Sequence, residues 1–284
     1  MLVVACATAG NGAPPSTTPA PVTTGTRAPF TSNPPVSTTQ VLAGCAEVDG
    51  FVDGGRVMRV DQPTSDTNTL GLISWQTVDG CERFTVRFET TEGAPATTPP
   101  TVVVDFLESR QVLRVWTDVE ATVVTDQLVE TSLVDRFYVV RGIDGGMFID
   151  LHLDRPAQAR AEVSNSPAQL TVELESGVQP FDSTAVFAEN TVVITPGDGA
   201  EAASNSSLVV SGYARVFEAN VVILATIGGQ TVAETTATAA DWTETWGEFT
   251  APIQLPPGEV SLFVGELSPA GGEPIGATIE LTVR

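Results

Sequence analysis

The segment MFIDLHLD, residues 147 to 154, gathers the side chains of this chain best suited to chemistry. It holds the one histidine, His152, with Asp150 and Asp154 two positions to either side. Read as a strand, it sends Ile149, Leu151 and Leu153 to one face and Asp150, His152 and Asp154 to the other. A row of this kind could bind a divalent metal, or pair a general base with an orienting carboxylate. A spacing of two along a strand separates these side chains by ~6.5 to 7 Å, so holding one metal needs favourable rotamers. The expectation is a solvated polar sheet face, with a metal site or a metal-dependent hydrolase at these residues as the alternative.

No other catalytic pattern accompanies them. The sequence lacks a GxSxG elbow, an HExxH helix motif and a GxxxxGK[ST] phosphate loop. Every basic residue is arginine, so no lysine is present to form a Schiff base. With 35 acidic residues, chance carboxylate pairs are inevitable and spacing in sequence cannot mark a glycosidase pair. The chain therefore reads as non-catalytic, with no cofactor.

The elements that must position these residues are strands. Phe84, Val86 and Phe88 alternate with Arg83, Thr85, Arg87 and Glu89, and Leu170, Val172 and Leu174 alternate with Thr171, Glu173 and Glu175. Ile279, Leu281 and Val283 alternate likewise with Thr278, Glu280 and Thr282. Period-two patterns of this type are half-buried strands. Residues 101 to 106 and 136 to 141 add further strands, whereas 125 to 134 is ambiguous between a short helix and a strand. VVILATI (221 to 227) is apolar on both faces, as a central strand requires. Gly228-Gly229 follows it and suits a two-residue hairpin turn. Pro95, Pro99 and Pro100 mark a loop. Many short strands separated by turn signals predict an all-β chain of packed sheets.

A length of 284 residues accommodates two domains of ordinary size. The 13 basic residues leave a formal charge of −22. That field repels phosphate backbones and anionic lipid surfaces, which argues against a nucleic-acid partner. Residues 7 to 40 are rich in Thr, Pro, Ala, Ser and Gly, carry Arg27 as their one charge and show no apolar period, so a disordered tether is expected there.

The N-terminal Leu2-Val3-Val4-Ala5-Cys6 resembles the end of a bacterial lipoprotein signal peptide, in which the cysteine is lipidated. The resemblance implies lipidation at Cys6, an upstream leader, and an extracytoplasmic, membrane-anchored protein facing the cell wall. In that compartment Cys45 and Cys81 remain as an even pair and are expected to form a disulfide.

Towards the C-terminus, VVSGYARVFEANV (209 to 221) and DWTETWGEF (241 to 249) resemble the immunoglobulin-like domain that accompanies bacterial spore-germination proteins. The opening strand VVITPGDG (192 to 199) comes first, and Phe217 and Glu218 are the most distinctive pair. GELSPAGG (265 to 272) keeps the family's late serine motif in part, with Pro269 at a position more often charged. Upstream, CERF (81 to 84), FYVVR (137 to 141) and MFIDLHLDRPAQARAEV (147 to 163) resemble the AMIN-like domains of exported lipoproteins. Related AMIN domains localise envelope enzymes, in some cases by binding peptidoglycan. The long insertion around 91 to 100 and a missing glycine-rich start are departures from that pattern.

The resulting expectation is two β-sandwiches in tandem after the tether. A signal remnant and lipobox occupy 1–6, the tether 7–40, an AMIN-like β domain 41–178, a linker 179–189 and an immunoglobulin-like sandwich 190–284. The expected role is a non-catalytic envelope lipoprotein that binds peptidoglycan or an envelope protein complex. The alternative is an assembly module docking on a membrane complex without glycan binding. Trp75, Trp116, Trp242 and Trp246 could offer flat faces to wall sugars, although tryptophan also plugs sandwich cores. Arg215 and Glu218 complete the candidate contacts, and alternation buries Phe217 with Tyr213.

Overall fold

The computed structural model describes residues 49–78, 80–204, 206–267 and 273–284. The expected leader remnant, the tether, Cys6 and Cys45 lie outside these residues, as do positions 268–272 of the GELSPAGG loop. The described chain is built of β-strands, as the alternating patterns predict, and no helix among the described residues is long and apolar enough to cross a membrane.

The first lobe contains β1 (Arg56–Val60), β2 (Thr69–Val78), β3 (Cys81–Glu89), β4 (Val102–Phe106), β5 (Val112–Thr117), β6 (Ala121–Thr122), β7 (Asp126–Leu128), β8 (Val134–Arg141), β9 (Met147–Leu153), β10 (Ala157–Ser164) and β11 (Gln169–Ser176). One sheet runs β10-β11-β3-β2-β6, and the other runs β1-β4-β5-β9-β8 with β7 beside β8. Between them lies a core of Phe84, Phe88, Leu113, Phe137, Ile149, Leu151 and Leu170. The ambiguous stretch 125–134 is strand over β7, and a turn with Glu130 at φ 51° then leads to β8.

The second lobe contains β12 (Val186–Phe187), β13 (Thr191–Thr195), β14 (Glu201–Ala202), β15 (Ser207–Ala214), β16 (Asn220–Ile227), β17 (Gln230–Thr238), β18 (Trp246–Gln254), β19 (Gly258–Glu266) and β20 (Ile275–Val283). Sheet β18-β15-β13-β12 packs on sheet β14-β20-β19-β16-β17 around Phe249, Ile223, Leu262 and Ile279. Gly228 and Gly229, at φ 57° and 80°, make the tight turn from β16 to β17, a conformation that side chains with a Cβ resist.

The two lobes are continuous. β18 runs parallel to β8 at Trp246↔Val140 and Gly247↔Arg141, which fuses one sheet from each lobe into a single ten-stranded sheet. A separate cluster of Tyr138, Val140, Phe148, Val192, Tyr213 and Trp246 fills the seam between them. The stretch 179–189, expected as a linker, contributes β12 to the second lobe and places Phe187 and Ala185 against this seam.

Candidate ligand-binding site

Asp150 and His152 do not face solvent, contrary to the sequence expectation. They are 0% and 1% exposed, because the outer face of β13, β15 and β18 covers the face of β9 on which they stand. Arg114 donates from Nε to Asp150 Oδ1 at 2.8 Å and from Nη2 to Oδ2 at 2.8 Å, and its Nη1 reaches Glu248 Oε1 of the second lobe at 3.3 Å. Burial opposes the charge on Arg114, but Asp150 and Glu248 more than offset it and its pKa is raised. The guanidinium lies 3.7 Å from the centre of the Phe148 ring.

His152 shares a short hydrogen bond between Nε2 and the Tyr213 hydroxyl, while its Nδ1 has no partner among the described residues. Burial, with Arg136 and Arg114 nearby, pushes its pKa down to about 3. The ring is therefore neutral at physiological pH and sits edge-on to Phe187, centroids 4.9 Å apart. Asp154, the third member of the row, is exposed beside Arg155 at 3.9 Å. The three residues do not converge, and among the described residues no group of three His, Cys, Asp or Glu side chains is placed to hold a metal ion. The chemistry of this cluster is lobe-to-lobe cohesion.

Three of the four tryptophans are engaged in packing. Trp75 stacks on Phe84 at 6.4 Å and meets Phe137 edge-on at 6.1 Å at the margin of the first core. Trp116 packs against the seam. Trp246, expected as a ligand contact, is buried in the seam, 4.8 Å from Tyr138, with Nε1 donating to Asp126 Oδ1 at 3.0 Å. A ring buried in the seam between the lobes has no face to offer a ligand.

Trp242 is different. It is 37% exposed and meets Phe217, 59% exposed, in a T-shaped pair with centroids 5.5 Å apart. The expectation that Phe217 would be buried with Tyr213 is overturned for half of the pair, since Tyr213 is fully buried and Phe217 is not. The strand pattern does not reach Phe217: β15 ends at Ala214, and residues Phe217–Ala219 form a short 3-10 turn. Glu218 and Ala219 have φ of 55° and 58°, so the turn is left-handed at residues with side chains, and Ala219 rather than Phe217 is buried.

The pair is held from below. Phe217 N donates to Glu266 Oε2 at 2.8 Å. Asp241 Oδ1 accepts from the amides of Trp242, Thr243 and Glu244 at 2.6, 2.9 and 3.3 Å, which shapes the loop that presents the indole. Burial disfavours the Asp241 carboxylate, yet the amides of Thr243 and Glu244 and the guanidinium of Arg141 outweigh it and lower its pKa. Arg215 reaches the same loop, donating from Nη2 to Thr243 O at 3.2 Å. Exposed Arg215 and Glu218 thus flank an exposed aromatic pair. Aromatic faces with a few fixed polar groups at their rim suit the C–H faces and hydroxyls of a sugar, or an apolar anchor of a protein.

Residues 190–273 match the family model Gmad2, the immunoglobulin-like domain of bacterial spore germination. No curated protein and no solved structure matches the chain. The matched span runs from β13 through β19 and takes in Phe217, Trp242 and the covering face of the seam, so the C-terminal lobe is similar to that immunoglobulin-like domain while the first lobe lies outside the match.

Proposed function

We propose that this protein is a non-catalytic binding module of the bacterial cell envelope, and that the Phe217–Trp242 pair is its contact for wall glycan. The observation that carries this reading is the exposure of two adjacent aromatic rings, Phe217 on a turn held by Glu266 and Trp242 on a loop shaped by Asp241, where the remaining tryptophans are taken up by packing. A large apolar ring held at the surface by several hydrogen bonds is ordered before a ligand arrives, so less entropy is lost on binding. Lipidation at Cys6, display of the folded part outside the cytoplasm on the 7–40 tether, a Cys45–Cys81 disulfide and an AMIN-like role for the first lobe belong to the same proposal. The burial of Cys81 at the start of β3 supports the disulfide, and a free-thiol count with and without reductant checks it.

Co-sedimentation of the whole chain with purified peptidoglycan sacculi tests the central claim. The wild type is expected in the pellet, and a Phe217→Ala/Trp242→Ala variant in the supernatant. Equal retention of both, or of neither, sinks the glycan reading.

One observation favours the alternative of docking on a protein complex. Among the described residues β17 ends its sheet with β16 as its one ladder partner, and although its far end runs close to β18, its residues 233–236 carry Glu234 as the one charge. Such an edge accepts an added strand. Capture of an envelope protein that is lost on Thr235→Pro, together with absence from sacculi, would favour docking.

A further inference from the structure

The loop that presents Trp242 belongs to the second lobe, but much of what fixes it comes from the first. Arg141, at the end of β8, donates from Nε to Asp241 Oδ2 at 3.2 Å and lies 3.5 Å from Glu244 Oε2 through Nη2. The same guanidinium is anchored at home, donating from Nη2 to Glu120 O at 3.1 Å with Glu120 Oε2 at 3.7 Å from Nη1. Thr245 Oγ1 donates to Val139 O at 2.5 Å, and Trp246 is held by Asp126 and by the backbone pairing with Val140. The loop 241–246 is therefore gripped by first-lobe residues along its length, with Trp242 left outside the grip.

We propose that the aromatic platform is a composite site and that Arg141 is its positioning residue. The two oxygens of Asp241 divide the work. Oδ1 collects the amides of residues 242–244, and Oδ2 faces Arg141, so the guanidinium fixes the carboxylate plane that organises the loop. The Asp241 side chain is 8% exposed and Arg141 22%, so water competes weakly for this contact and the planar fork can bridge Asp241 and Glu120 at once. Without Arg141, Val139 and Asp126 of the first lobe, the loop would lose these partners and with them the fixed presentation of Trp242. The proposal concerns how the platform is ordered, and it deepens the glycan reading without depending on it for its own test.

The test is amide hydrogen exchange on the whole chain. In Arg141→Met, exchange at Trp242, Thr243 and Glu244 is expected to rise about tenfold or more while strand amides in β16 and β19 stay protected. Arg141→Lys, which keeps the charge and loses the fork, should fall between Met and wild type. Arg155→Met makes the same charge change at an exposed site and should leave the three amides unchanged. If Arg141→Met loses protection throughout, Thr245→Val, which removes one hydroxyl contact from the same grip, decides the matter. Wild-type exchange at residues 242–244 in the folded variants overturns the proposal. Sacculus retention is read in parallel: failure of the wild type to bind defeats the glycan reading and leaves the exchange result standing, whereas retention lost with fast loop exchange ties the two together.

Discussion

Trp242 and Trp246 lie four residues apart in one polar segment, and the structure treats them in opposite ways. Trp246 is sandwiched between lobes with its N–H satisfied by Asp126, and Trp242 stands out against Phe217. The same contrast separates the two sheets of the second lobe. On β20 the outward residues Glu280 and Thr282 remain accessible, whereas on β15 and β18 the outward residues Tyr213 and Trp246 disappear under the first lobe. A strand's own alternation identifies its inner face; whether its outer face meets water or another sheet depends on residues far away in the chain.

The largest expected effect breaks the contrast at its buried end. Trp246→Ala should cost roughly 3–5 kcal/mol in urea unfolding, the usual loss for deleting a large core aromatic ring. A cost near zero would mean that the seam is not part of the folding unit.

Next comes acid. Because His152 has a folded pKa of about 3 against an ordinary value near 6.5, the unfolded chain binds a proton through this window while the folded one does not. Stability contributed by neutral His152 is complete above about pH 6.5 and is lost as pH falls towards 3, at up to about 1.4 kcal/mol per pH unit. Two units of acidification from pH 6.5 should thus remove about 2–3 kcal/mol. The chain has one histidine, so this slope should flatten above about pH 5 in His152→Gln, where ordinary carboxylates remain ionised. An equal slope in wild type and variant contradicts the burial of this ring. Tyr213→Phe acts on the same contact: it leaves both His152 nitrogens unpaired and should cost about 1–3 kcal/mol at neutral pH.

Strand patterns such as Phe84-Val86-Phe88 and Ile279-Leu281-Val283 were legible because each strand's burial follows its own period, and the Gly228-Gly229 turn because glycine relieves the positive φ found there. The seam was not, although a trace of it exists. Tyr138, Val140 and Phe148 share the face of Asp150 and His152, and three large apolar groups beside two ionisable ones are poor company for open water. A wet row at Asp150 and His152 is at odds with those neighbours. Phe217 escaped for another reason: its outward position follows from left-handed backbone at Glu218 and Ala219, and neither residue type advertises that conformation. Asp241 could have been suspected as a loop former from its residue type, because aspartate side chains accept amides just ahead of them, but its partner Arg141 is 100 positions away.

The smallest expected change in stability lies at the exposed end of the comparison. Trp242→Ala removes a ring that, among the described aromatic residues, meets only Phe217, and it leaves the Asp241 amide contacts in place because those involve backbone N–H groups. Because the ring is 37% exposed and packs on Phe217, the variant's unfolding free energy should fall by only about 1–2 kcal/mol, less than the loss expected at Trp246. Retention on sacculi should nevertheless fall, because exposed aromatic anchors contribute disproportionately to binding. Opposite responses in stability and retention for Trp242→Ala and Trp246→Ala would separate a surface for recognition from a surface for cohesion. Matching losses of stability in the two variants would show instead that Trp242 is a structural ring whose exposure is incidental.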